Sequence, residues 1–204
     1  MLLTEMGSSG RPELAIQEQL RGTRRSARGR LSPTSCPGTE QNRCTMNFHL
    51  EERSPGWVID APIQIRRRVW LPATPEQVFA MLADSPGWTR WFKGMSKVRI
   101  DGPATGVGTL RTVWVGPNRV QEHFNVWEPS RQITFHIVQS SSPGLRVMVE
   151  DYLITPAGNG STLVATVGVE AHWPLSRLPG LVRLIVGRAT SGVMGITKAP
   201  FSGS

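Results

Sequence analysis

Between Ile63 and Leu71 the chain alternates, with Ile63, Ile65, Val69 and Leu71 on one side and Gln64, Arg66, Arg68 and Trp70 on the other. That two-residue period is the mark of a half-buried strand. A helix start follows: Thr74 can cap, Pro75 takes the first helical position, and Gln77 is placed to close a capping box. Val78, Phe79 and Leu82 then supply a buried stripe. Asp84-Ser85-Pro86-Gly87 breaks this helix, and Trp88 to Phe92 reads as a second short turn of helix.

After Gly94, apolar alternation recurs between turn signals. The expected strands are 97–101, 109–115, 120–127, 132–138, 145–155 and 162–173, separated by segments such as Gly116-Pro117-Asn118 and Gly158-Asn159-Gly160. Connections this short favour an antiparallel meander, since parallel neighbours need long crossovers. The last element is a helix opening near Pro179. Its expected apolar stripe is Leu178, Leu181, Val182, Ile185, Ala189, Gly192 and Val193, with Arg177, Arg183 and Arg188 toward solvent. Gly187, Ser191 and Gly195 form a small-residue row that is read as fraying near the C-terminus rather than as close packing.

Composition changes the picture at the N-terminus. No Phe, Tyr or Trp precedes Phe48, and all seven Trp lie at or after Trp57. A segment without aromatic anchors buries too little apolar surface to offset the entropy of ordering its backbone. Residues 1–56 are therefore expected to be a flexible extension, with one transient helix around Pro12 to Leu20, and residues 57–204 a single packed domain. Met46 immediately precedes the first aromatics and is an alternative start of translation.

The formal net charge is +8, from 23 Lys and Arg against 15 Asp and Glu. Such an excess favours anionic partners, but the arginines are scattered rather than gathered into a stripe. A specific nucleic-acid reader is not expected, and peripheral contact with a membrane surface stays open. No run of about 18 apolar residues suggests a membrane-spanning helix. The start, Met1-Leu2-Leu3-Thr4-Glu5, does not read as a secretory signal. Two cysteines, Cys36 and Cys44, offer neither a disulfide framework nor the four ligands of a zinc site, which fits a reduced cytoplasmic setting.

Several local sequences carry a family resemblance. Ala73-Thr74-Pro75-Glu76-Gln77-Val78-Phe79 followed by Asp84-Ser85-Pro86-Gly87-Trp88-Thr89-Arg90-Trp91 resembles the opening of the START-like (SRPBCC) superfamily, especially its bacterial polyketide cyclase/dehydrase and lipid-transport-like members. Gly106-Val107-Gly108-Thr109 is similar to their entry into the third strand. Val126-Trp127-Glu128-Pro129-Ser130-Arg131 is similar to a strand-to-strand corner, and Tyr152 to Pro156 with Gly160-Ser161-Thr162 to the last hairpin. The likeness covers residues 60–190. It implies an α+β helix-grip fold: a curved antiparallel sheet of about seven strands wrapped around a long C-terminal helix, with two short helices after strand one. Pro179-Gly180 and the later glycines depart from a continuous terminal helix, each glycine costing up to about 1 kcal/mol relative to Ala.

A curved sheet gripping one helix can leave a cavity between them. The candidate lining is Leu82 and Trp91 from the helical segment, Trp114, Phe124, Phe135, Met148, Glu150 and Tyr152 from the strands, and Leu181 and Ile185 from the final helix. For any single one of them plain core is the simpler expectation, while a cavity somewhere among them is expected. Glu150 shares a face with Met148 and Tyr152, Glu122 with Phe124 and Val126, and Arg67 with Ile65 and Val69. Buried, either carboxylate would need a partner or a raised pKa, although placement at solvated strand ends is the simpler expectation. Of the four histidines, His123 and His136 fall opposite Phe124 and Phe135 and are expected in solvent, while His49 lies near the tail. None of the four, His172 included, shows the spacing of a metal pair. No cofactor is expected.

The leading expectation is a protein that binds a small hydrophobic molecule, such as a lipid, fatty acyl chain or polyketide. A cyclase/dehydrase-like enzyme, as the resemblance implies, is the first alternative. A ligand-free interaction module, co-chaperone-like or a toxin-like partner in a two-component system, is the second. No catalytic constellation stands out, and oligomeric state is not legible.

Overall fold

The turn before the first helix is built as its residues dictate. The Thr74 hydroxyl accepts a hydrogen bond from the Gln77 backbone N–H at 3.4 Å, and the Thr74 N–H donates to the Gln77 side-chain oxygen at 2.9 Å. This reciprocal cap opens α1 (Pro75–Ala83), which buries Val78 and Leu82. The short α2 (Trp88–Trp91) follows and buries both of its tryptophans.

The computed structural model describes residues 47–198. The candidate helix at Pro12 to Leu20, Cys36, Cys44 and the alternative start at Met46 lie outside the described residues. Among the described residues there are eight strands: β1 (Phe48–His49), β2 (Ile63–Leu71), β3 (Met95–Ile100), β4 (Leu110–Val115), β5 (Asn118–Glu128), β6 (Gln132–Ser140), β7 (Leu145–Ala157) and β8 (Gly160–Ala171). They form one curved antiparallel sheet in the order β2-β8-β7-β6-β5-β4-β3, with β1 off this path against β6. The terminal helical run is α3 (Pro179–Ala189), continued as a 3-10 helix over Thr190–Lys198. No described helix is long and apolar enough to cross a membrane.

The sheet forks. β6 pairs with β7 only from Gln132↔Leu153 to His136↔Val149, and beyond that point β1 takes the edge of β6 that β7 has left. Leu50 N–H donates to the Val138 carbonyl at 3.1 Å, and Glu51 N–H crosses to the Arg146 carbonyl on β7 at 2.8 Å. The Arg146 guanidinium also meets Glu51 at 2.7 Å. The chain then covers the outer face of the sheet, where Trp57 and Val58 of a 3-10 turn (Pro55–Ile59) pack on Val147 and Val149. Residues 47–56, expected within the flexible extension, are thus a wedge in the sheet. The charge-rich run from Glu51 to Arg53 hid this, because its order comes from backbone pairing and not from apolar burial.

Two further expectations shift. A register irregularity between Phe124 and Val126 places Val126 opposite Thr134 and Trp127 opposite Ile133. Trp127 therefore packs inward on Phe79 and Phe124, and Val126 leaves the face of Glu122. In the terminal run the buried positions are Val182, Val186, Val193 and Ile196, while Leu178, Leu181, Leu184 and Ile185 are exposed. Val182, Gly192 and Val193 of the expected stripe are buried, whereas its Leu178, Leu181, Ile185 and Ala189 are exposed and Val186 takes the inward place in the first half.

Close packing, not fraying, explains the end of the small-residue row. A Cβ at Gly195 would clash with the Trp91 carbonyl oxygen, and one at Gly192 with the Phe92 ring and the Lys93 carbonyl. Lys93 N–H donates to the Gly192 carbonyl at 3.2 Å, locking the 3-10 segment to the α2–β3 connection. Gly195→Ala is expected to destabilise the fold by about 1–3 kcal/mol, the usual cost of overpacking, whereas Gly187→Ala, in open space, is expected to be neutral or stabilising. Thermal unfolding of the two variants checks this: equal midpoints would contradict the packing assignment.

Candidate functional site

Alternation along the strands sends one set of side chains to the concave face. From β4 these are Arg111, Val113 and Val115, from β5 Glu122 and Phe124, and from β6 Ile133, Phe135 and Ile137. Most are buried, Val113, Phe124 and Arg111 with no measurable exposure. Arg111 faces Glu122 directly across the β4–β5 ladder. Its Nε donates to the Glu122 carboxylate and one Nη to the Ser85 hydroxyl at 3.1 Å. The guanidinium also lies over the Trp88 ring, 4.1 Å from its centroid, and within 4.9 Å and 5.4 Å of those of Phe124 and Phe135. A buried cation is tolerable only when paired and hydrogen-bonded, and aromatic faces add attraction.

Beside this pair lies a cavity of about 170 Å³ between the sheet and the terminal helix. Its apolar walls include Phe92, Met95, Val115, Val120, Ile137, Leu145, Met148, Leu175, Val182 and Val186, with Trp88 above them. Pro143 and the half-exposed Ile185 belong to its rim, whereas Glu122 and Glu150 are lining residues that are themselves buried. The cavity thus joins an exposed rim to a buried wall that includes both carboxylates. Other polar lining groups are satisfied among themselves: the Ser142 N–H donates to the Ser140 hydroxyl at 3.0 Å, and the Thr190 hydroxyl to the Val186 carbonyl at 2.9 Å.

Glu150 accepts a hydrogen bond from the Tyr152 hydroxyl at 2.8 Å. Burial, with a contribution from the nearby charge of Glu122, raises the Glu150 pKa from 4.5 to about 7, against the pull of the Tyr152 hydrogen bond and Arg111. Burial also pushes Glu122 upward, opposed by Arg111. The Tyr152 hydroxyl is driven well above its ordinary value by burial and then by the Glu150 charge. One guanidinium can neutralise one carboxylate. Contact assigns that role to Glu122, leaving Glu150 as the acid that changes protonation near neutrality.

Of the expected lining residues, Met148, Glu150 and Ile185 line this cavity. Leu82, Trp91, Phe124, Phe135 and Tyr152 are buried in the surrounding core. Leu82 lends its carbonyl to the Trp88 indole N–H at 2.8 Å, and Phe135 and Tyr152 stack with centroids 5.7 Å apart. Trp114 and Leu181 do not belong there. Trp114 faces the outer side of β4 beneath Lys97 and Arg99, and Leu181 points to solvent from α3. Arg67 meets no carboxylate: its Nη2 donates to the Gly187 carbonyl of α3 at 2.8 Å. Glu122 and Glu150, expected at solvated strand ends, are buried instead. Sequence reasoning passed over Arg111, although its shared parity with Val113 and Val115 was the available signal.

Replacing Arg111 with Met leaves Glu122 buried without its cation, and a loss of about 3–5 kcal/mol is expected. The double variant Arg111→Met/Glu122→Leu is expected to recover most of that loss. Urea unfolding of the two single variants and the double variant measures the coupling, and additive losses would refute the pairing.

Comparison with known proteins matches this architecture. Residues 62–197 match the family model described as polyketide cyclase/dehydrase and lipid transport. An uncharacterised protein of Mycobacterium tuberculosis strain H37Rv is 34% identical over 116 residues, 56% of this chain and 70% of that protein. An uncharacterised Mycobacterium bovis protein matches to the same extent. Among solved structures, the Zhui aromatase/cyclase from Streptomyces sp. R1128 superposes with a TM-score of 0.57 at 17% identity, covering 69% of this chain and 98% of that one. A protein from Thermus thermophilus gives 0.54 at 20% identity, covering 66% and 94%. These structural likenesses concern the fold. With the match spanning nearly all of the sheet and the terminal helix, the chain belongs to the polyketide cyclase/dehydrase and lipid transport family.

Proposed function

We propose that this protein binds a small, mostly apolar molecule bearing one polar group, which is received at the Glu122–Glu150 wall of the cavity. The observation that carries this reading is the cavity itself: apolar walls with two buried carboxylates among its lining. Removing apolar ligand surface from water contributes roughly 25 cal/mol per Å². A polar group meeting Glu150 orients the molecule. The family description, which joins lipid transport with cyclase/dehydrase chemistry, supports the ligand class.

Size restricts the choice. At about 170 Å³ the cavity is smaller than the roughly 300–1,000 Å³ pockets of drug-sized ligands, and close to an engineered cavity of about 150 Å³ that holds benzene. One aromatic ring or a short acyl segment fits. A longer molecule leaves its remainder at the mouth beside Pro143 and Ile185.

Catalysis is the second reading, and the burial of Glu150 in the cavity lining favours it, since burial pushes its pKa up to about 7, where a general acid or base works best. In that reading Glu150 takes or returns a proton while the walls fold a polyketide-like chain for condensation or dehydration.

Saturable uptake of an environment-sensitive fluorescent naphthyl probe is the direct measurement. Val186→Trp, which fills the cavity from α3, is expected to weaken uptake at least tenfold while preserving far-UV circular dichroism; uptake unchanged by that variant excludes the cavity as the site. Glu150→Gln separates the two readings. It leaves probe uptake within a few-fold in both, and abolishes product formation from a polyketide-like substrate only if Glu150 is the catalytic residue.

A pH dependence follows from Glu150. Its folded pKa lies above the ordinary value, so ionisation favours the unfolded chain, and stability falls as pH rises from about 4.5 through about 7. The full loss amounts to about 3 kcal/mol. Glu150→Gln is expected to remove this loss, so the stability difference between variant and parent should grow across that window and level off above it. A difference independent of pH would show that Glu150 is ionised in the fold.

A further inference from the structure

On the outer face of the sheet, at the point where β6 and β7 part, three side chains converge that the cavity does not use. His123 and His136 stand directly opposite each other on β5 and β6, with perpendicular rings whose centroids are 5.1 Å apart. Glu52 arrives from the wedge segment, its Oε1 3.7 Å from His136 Nε2. The donor atoms of all three lie within 4.8 Å of one another. The wedge holds Glu52 in place: its neighbour Glu51 is bonded through its backbone to β7 and through its carboxylate to Arg146.

His136 is anomalous as a purely structural residue. It is 1% exposed, yet its Nε2 has no hydrogen-bond partner, and neither has the buried Oδ1 of the adjacent Asn125. Buried polar atoms are seldom left unpaired. The Asn125 amide nitrogen lies 3.4 Å from His136 Nδ1. Turning that amide end for end lets Oδ1 accept the Nδ1–H, which pairs the oxygen with the ring. The tautomer so fixed carries its lone pair on Nε2, aimed at Glu52 and His123. A ligating histidine is held in this way by its other ring nitrogen.

We infer that Glu52, His123 and His136 form a divalent transition-metal site of the zinc class, which fastens the N-terminal wedge to the sheet. Two imidazoles and one carboxylate are a borderline donor set that suits zinc and disfavours magnesium or calcium, whose ligands are oxygen. Three protein ligands leave a fourth position for water. Tetrahedral bonds of about 2.0–2.1 Å place donors roughly 3.3 Å apart. Closing the present separations, which reach no more than 4.8 Å, to that value takes movement of the Glu52 side chain, which is 71% exposed, and rotation of the partly exposed His123 ring. His123 and His136 are distant in sequence, and only the strand register reveals them as a pair.

The test uses the full chain carrying Cys36→Ser and Cys44→Ser, so that thiolates cannot contribute. Titration with Zn(II) against a chromophoric chelator is expected to give one ion per chain, and Co(II) is expected to give the intense visible absorption of a four-coordinate N/O site. Glu52→Gln and His123→Ala both leave the wedge's backbone pairing intact. Each is expected to weaken Zn(II) at least tenfold and to abolish the Co(II) bands without changing apo-protein circular dichroism. Zn(II) is further expected to slow amide exchange at Leu50 and Glu51 in the parent and not in the variants. Absence of stoichiometric binding, or binding that both variants retain, overturns the site. Binding lost in the variants with no change in exchange overturns the fastening role. None of these readouts depends on the cavity, so they stand or fall separately from the ligand-binding proposal.

Discussion

A guanidinium with no exposed surface has to be compensated where it lies, and the inner face of this sheet is arranged around that demand. Arg111 comes from β4, its counter-ion Glu122 from β5, and its remaining neutral partner, Ser85, from the break between the two short helices. Trp88, Phe124 and Phe135 close over the cation. A loop, a helix and three strands are thereby tied to one charge. Such a pair adds little net stability compared with an apolar replacement, because desolvation offsets its attraction. What it does here is fix position: Trp88 and Glu122 hold the places from which they border the cavity.

The cavity follows from how that frame meets the fork. Where β6 and β7 separate, the segment from Phe48 to Glu51 completes the backbone hydrogen bonds that the two strands no longer give each other. Unpaired edges are costly or adhesive, so the fork could not persist without this third strand. Ser140, Ser142, Pro143 and Leu145, the residues around the fork's connecting turn, are also cavity residues. The wedge and the mouth are two sides of one distortion.

Much of the fold was legible in the sequence because its signals were local. The capping box at Thr74, the alternation of β2 and the glycine- and proline-marked turns each depend on neighbours in the chain. What escaped was set across the sheet. Arg111 looks like any arginine in a strand until its register with Glu122 is known. His123 and His136 alternate away from Phe124 and Phe135 and so read as solvent-facing, yet His136 is covered by a segment whose own sequence predicts no structure. Trp114 carries the size and polarity of a pocket residue but sits on the wrong side of its strand, where Lys97 and Arg99 occupy its face. A single register irregularity was enough to exchange Val126 for Trp127 on the inner face.

The terminal helix departs from its expected setting for a different reason. Leu181 and Ile185 would have made as good a buried stripe as Val182 and Val186, and the two sets differ by a rotation of about 100° around the helix axis. An element greasy on adjoining sides has no strong preference for which of them it turns inward. Its angular setting rests on the few contacts that tell the sides apart, chiefly the bond from Arg67 to the Gly187 carbonyl and the glycine-lined seam beyond residue 190. α3 therefore behaves less like a fixed wall than like a roller with a single detent.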